Sequence, residues 1–210
     1  GVVFVCGALI AALLTVLLRT MLSAGADTLL DWDDMLMITD HVDAKGKPLG
    51  ALGHGEMWFH TDKCYHRKPH RASFLYGIEI PTEGGHTQFS SMYAAYEALS
   101  PALQKLLAGL TATHGSEHVY RGRYSDRGVD DHTRVYPSAV HPVVRTHPIT
   151  GEDALYVNSG FTDRIWDMED WESDALLRML FDRIAYDVEL QCRVRWEPNT
   201  VTFWDNRVVQ

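Results

Sequence analysis

Cysteine is scarce in this chain: Cys6, Cys64 and Cys192 are odd in number, far apart and without CxxC spacing. That excludes a disulfide framework and a thiolate zinc site, and it suits a reducing cytoplasm. Basic residues are outnumbered, 19 Lys and Arg against 28 Asp and Glu, for a formal net charge of −9. They are also scattered. A phosphate-binding surface needs them clustered, so nucleic acid is excluded as a partner. There is no internal repeat, and no basic n-region precedes the apolar start, which argues against a signal peptide. What is there, 46% hydrophobic and 22% charged residues over 210 positions, is the composition of one soluble globular domain.

Residues 1 to 18 (GVVFVCGALIAALLTVLL) carry no charge. At about 18 apolar residues they are just long enough to be a transmembrane candidate. The preferred reading is a strand, Val2 to Val5, then a buried helix, Ala8 to Leu18; a membrane anchor is its rival and membrane association is not expected. Met35 to Ile38 reads as a short buried strand and His41 to Gly55 as a glycine-rich loop. Ala72 to Ile80 and Thr87 to Phe89 read as strands either side of a Gly-Gly turn. Ser90 or Ser91 caps a helix carrying Tyr93, Tyr96 and Leu99, and Ser100-Pro101 opens a second, with Leu103, Leu106, Leu107 and Leu110 as a core stripe.

His114 to Pro137 lacks a period and reads as a long polar loop. Val140 to Thr146 and Ala154 to Asn158 form a hairpin across a Pro-Ile-Thr-Gly connector, and Glu169 to Tyr186 has helical spacing. Cys192 to Trp196 and Thr200 to Trp204 are the last strands. Many short strands with a helical pair among them predict a mainly β fold with flanking helices.

The informative segment is Trp58-Phe59-His60-Thr61-Asp62. In an extended strand, residues two apart point the same way, so His60 and Asp62 would present an imidazole and a carboxylate on one face. One further histidine would complete a facial triad suited to iron(II), which leaves positions open for a chelator and oxygen. Alone, this spacing is common by chance and fits a structural histidine equally well.

The run HTDKCYHRKPHRASFLYGIEIPTEGGHTQFSSMYAAYEALSPALQKLLAGL, followed in order by HPVVRTHPITGEDALYVNSGFTDRI and RWEPNTVTFWDNRVVQ, resembles the taurine and 2,4-dichlorophenoxyacetate dioxygenase family. The resemblance runs from about Gly50 to Gln210. It implies a double-stranded β-helix (jelly-roll) core and an enzyme that uses Fe(II), 2-oxoglutarate and O2 to hydroxylate a small organic acid or sulfonate, releasing succinate and CO2. Carried across by position, His60 and Asp62 match the first two iron ligands, and Thr87 matches the hydroxyl that holds a 2-oxoglutarate carboxylate. Asn158 and Phe161 match the substrate pocket, with Glu56 and Lys63 flanking it. Trp204, Asp205, Asn206 and Arg207 match the strand end that leads to the last ligand, where the Trp packs and the polar residues fix the turn. His141 and His147 fall at structural positions.

Two departures accompany the match. The family's third ligand, a histidine, directly follows the WDNRxxQ run, and its 2-oxoglutarate arginine comes later still, so residues 1–210 are expected to be a single dioxygenase domain incomplete at its C-terminus. Residues 1–34 form an apolar segment that diverges from the family. The rival reading is a catalytically inactive jelly-roll binding protein lacking the third ligand. A small-molecule substrate is the expected partner, and a homo-oligomer stays open.

Overall fold

The computed structural model describes residues 3–4, 38–39, 41–46, 49, 51–52, 57–123 and 133–210. The predicted helix Ala8–Leu18 and the start of the predicted strand Met35–Ile38 lie outside these residues. The described chain is mainly strands with a few helices, in two compact units. Among the described residues no helix is long and apolar enough to cross a membrane.

The first unit contains residues 1–55, 74–85 and 195–202. It holds most of a sheet of order β12-β4-β1-β2-β3, made from β1 (Val3–Phe4), β2 (Ile38–Thr39), β3 (Ala51–Leu52), β4 (Ala72–Glu79) and β12 (Val201–Asp205). β1 runs antiparallel to β2 and β4, with Phe4 opposite Ile38 and Val3 opposite Glu79, while β3 lies parallel to β2. β3 therefore falls inside the stretch that its glycines predict as loop. Ahead of β12, Asn199 takes a left-handed backbone (φ 68°) and its Oδ1 accepts from the Tyr76 hydroxyl at 2.6 Å.

The second unit, residues 56–73, 86–194 and 203–210, holds the core. β5 (Thr87–Ser90) pairs antiparallel with β11 (Gln191–Val194); β6 (Thr111–Gly115) lies between β7 (Ser138–Pro142) and β10 (Thr162–Ile165); β8 (Val144–Thr146) forms a hairpin with β9 (Asp153–Leu155). Helices α1 (Met92–Glu97) and α2 (Pro101–Leu107) start at Ser91 and Ser100, whose hydroxyls accept from Ala94 N and Leu103 N at 3.3 Å each. α4 (Asp170–Tyr186) buries Leu177, Leu180 and Ile184 at helical spacing, and a short helix α3 (Glu117–Tyr120) precedes β7. Met92, Ala95, Leu107, Val143, Leu155, Ile165 and Leu180 meet in one apolar core.

Three expectations change. The strand predicted from Val140 to Thr146 breaks at Val143, whose buried backbone bonds to Leu110 and Tyr156, so the chain leaves one sheet for another there. The loop predicted from His114 to Pro137 begins instead as strand β6 and helix α3, because His114 is fully buried and bonds Thr162. Of the predicted leucine stripe, Leu107 is buried but Leu106 is 49% exposed, since seven-residue α2 packs only the narrow Leu103–Leu107 face.

Candidate active site

The Trp58–Asp62 segment is not a strand, yet the two side chains that strand geometry would pair do meet. Asp62 sits in a turn, and His60 Nε2 lies 3.3 Å from Asp62 Oδ1. His60 Nδ1 is 2.7 Å from the Trp58 carbonyl oxygen. A carbonyl can only accept, so Nδ1 carries the hydrogen and Nε2 keeps its lone pair in the neutral ring. Asp62 Oδ2 accepts from the Ser73 hydroxyl at 2.6 Å. Each of the two side chains thus has one polar atom tied to the protein and one turned to the other.

What bends the chain here comes from far away in sequence. The fully buried Asn206 accepts from Asp62 N with its Oδ1 and donates through Nδ2 to Asp62 O, both at 2.9 Å. Its Nδ2 also donates to His70 O at 3.0 Å, and its backbone N donates to Arg71 O. One residue, through its side chain and its backbone N–H, so closes the loop from Asp62 to Arg71. Burial disfavours the charged His60 ring, but the hydrogen bond and charge of Asp62 outweigh this and raise its pKa. Burial likewise works against the Asp62 carboxylate, and His60, Ser73 and His70 together hold its pKa below the ordinary value.

A tight turn forms the neighbouring wall. Asn158 Oδ1 accepts from Phe161 N at 2.8 Å, its Nδ2 donates to Cys64 Sγ at 3.5 Å, and its backbone N donates to Thr162 Oγ1 at 2.9 Å. The Asn158 amide is therefore spent inside the protein, where it shapes the turn that sets Phe161 edge-on to His60, ring centroids 5.8 Å apart. Gly160 packs closely here: a Cβ added to it would lie 3.2 Å from His60 Cβ, tighter than an ordinary contact. Beside this turn runs a cleft of about 590 Å³ lined by Trp58, His118, Arg121, Arg123, Ser159 and Gly160 among others.

The remaining sequence candidates are dispersed. Thr87 opens β5 opposite Val194, and Lys63 adopts a left-handed backbone (φ 57°) directly after Asp62. Glu56 lies outside the described residues. Trp204 packs on Phe89 at 5.0 Å, and Asp205 accepts from Arg207 Nε at 2.8 Å and faces His147 Nε2 at 3.1 Å. Burial alone would raise the Asp205 pKa; the Arg207 hydrogen bonds lower it instead. Among the described residues no group of three or more His, Cys, Asp and Glu side chains is placed to hold a metal, so His60 and Asp62 stand as a pair. Sequence reasoning does not find Ser73, which carries no local signal for a partner eleven residues back.

Residues 31–210 match the family profile described as taurine catabolism dioxygenase TauD, TfdA family. The chain is 40% identical over 154 residues to an alpha-ketoglutarate-dependent dioxygenase of Penicillium expansum, covering 72% of this chain and 43% of that protein. It is 35% identical over 152 residues to the alpha-ketoglutarate-dependent sulfonate dioxygenase of Saccharomyces cerevisiae, covering 72% and 36%. Among solved structures, a taurine dioxygenase from Burkholderia xenovorans superposes with a TM-score of 0.62 at 33% identity, covering 80% of this chain and 58% of that one. The chain thus spans less than half of the length of these two curated relatives. The profile match covers well over half of the sequence: this chain belongs to the TauD/TfdA dioxygenase family.

Proposed function

We propose that this chain carries the metal-binding part of an iron(II)- and 2-oxoglutarate-dependent dioxygenase with a jelly-roll core, which hydroxylates a small organic acid or sulfonate in the cytoplasm and releases succinate and CO2. The observation that carries the reading is the His60–Asp62 pair. An imidazole nitrogen and a carboxylate oxygen 3.3 Å apart, each with its other polar atom tied down, are a donor set that suits iron(II). Bound iron, with 2-oxoglutarate and O2, would supply the oxidising chemistry that puts a hydroxyl on a C–H bond.

The chain's own residues orient and exclude. The Trp58 carbonyl fixes the His60 tautomer, Ser73 fixes the carboxylate, and Asn206 holds the turn on which Asp62 sits. Phe161, held by Asn158, sets an apolar ring against one side of the imidazole. Thr87 would hold a 2-oxoglutarate carboxylate, and Lys63 and Glu56 would stand at the substrate side, as the family resemblance implies. The sulfonate class is suggested by the names of relatives, the yeast protein's among them.

The test uses the natural full-length protein with iron(II), 2-oxoglutarate, air and a panel of sulfonates, phenoxyacetates and carboxylates. Succinate release should be stimulated by at least one of these and fall to background in His60→Ala. Succinate at the metal-free background throughout would contradict the reading.

A further inference from the structure

The cleft beside His60 carries positive charge, and its cations are not equivalent. Arg121 is committed: its Nε donates to Glu117 Oε1 at 2.7 Å, and its guanidinium lies 5.1 Å from the centre of the Tyr136 ring. His118 is committed too, with Nε2 at 2.9 Å from Gly160 O and Nδ1 at 3.1 Å from Asp163 Oδ1. Its hold on Asp163 explains Gly115, where a Cβ would collide with that carboxylate. Arg123 is different. Its guanidinium contacts the Met57 sulfur at 3.6 Å and meets no carboxylate among the described residues. A guanidinium that faces no carboxylate among the described residues, in the concave wall of a chain of net charge −9, can turn its donors to the cleft.

The cleft also joins the candidate centre. Trp58 and Gly160 line it; the Trp58 carbonyl accepts from His60 Nδ1, and a Cβ added at Gly160 would lie 3.2 Å from His60 Cβ. The Trp58 ring is 64% exposed and offers an apolar face in the same wall. A volume of about 590 Å³ lies within the roughly 300–1,000 Å³ of small-molecule sites. The planar fork of Arg donors suits an oxyanion such as a sulfonate or carboxylate.

We propose that Arg123 anchors the acid group of an organic anion whose apolar body lies along Trp58, so that the anion occupies the cleft next to His60. Calling that anion the substrate rests on the dioxygenase reading above; the binding itself does not.

Calorimetric titration of the metal-free full-length protein with hexane-1-sulfonate, and with uncharged hexane-1-sulfonamide, tests this. The sulfonate should bind about tenfold or more tightly than the sulfonamide, and Arg123→Met should remove that preference, the loss of one charge-assisted hydrogen bond. Arg123→Lys should keep part of it, which separates lost charge from lost folding. Equal binding of the two compounds by the natural protein, or an unchanged sulfonate affinity in Arg123→Met, would overturn the proposal. A parallel titration with 2-oxoglutarate and Mn(II) keeps the two readings apart: its failure would sink the dioxygenase assignment and leave the Arg123 result intact.

Discussion

A carboxylate that takes a serine hydroxyl on one oxygen and faces an imidazole nitrogen with the other has its direction set before any metal arrives. That is the condition of Asp62. The His-x-Asp spacing was open to reading because it is local, and the meeting of the two side chains survives even though the segment is a turn rather than a strand. Ser73 and Asn206 were not readable as partners of Asp62: one lies 11 and the other 144 positions away. Ser73→Ala frees the carboxylate to rotate and should weaken metal binding by about 10- to 100-fold with the fold intact, measured by competition with a chromogenic chelator. An unchanged affinity would remove Ser73 from the account.

Among the elements, those with local signals agree best with the sequence. The serine caps of α1 and α2 and the apolar spacing of α4 lie within a few residues of what they govern, and the starts of these helices fall within a residue of the expected ones. β6 had no such signal. Its Thr-Ala-Thr-His-Gly sequence reads as polar until Thr162 and the β7 register bury it. The link between α4 and β10 also depends on a polar side chain in the core. Buried Ser173 Oγ accepts from Ile165 N at 2.8 Å, so Ser173→Ala leaves that buried N–H without its partner. We expect a loss of about 1–3 kcal/mol in urea unfolding. A change within a few tenths of a kcal/mol would mean that the helix docks by its leucines alone.

At the scale of the whole molecule, an acidic chain with buried neutral histidines should lose stability in acid. Burial, with help from the charges of His141 and Arg145, pushes the His114 pKa from 6.5 down to about 3, and His141 shifts the same way. Above pH 6.5 His114 is neutral folded and unfolded, and contributes no pH dependence. Below it the unfolded chain takes up a proton that the native state refuses. His114 alone then removes about 1.4 kcal/mol of stability per pH unit, down to its folded pKa. Urea unfolding at pH 4 to 7 should show a shallower slope in His114→Phe than in the natural protein, and parallel slopes would show that His114 is not held neutral. That the chain is mainly strands with a few helices was legible in the strand and turn punctuation. The sheet partners were not, since β5 pairs with β11 across about a hundred residues.

The central claim is that His60 and Asp62 are two ligands of one iron(II). Anaerobic titration of the natural full-length protein with iron(II) tests it most directly, alongside His60→Ala and Asp62→Ala. The expected result is one iron per chain, and in each variant a loss of affinity beyond the ~100-fold that removing a ligand's supporting hydrogen bond costs. Iron bound as tightly by either variant as by the natural protein would contradict it.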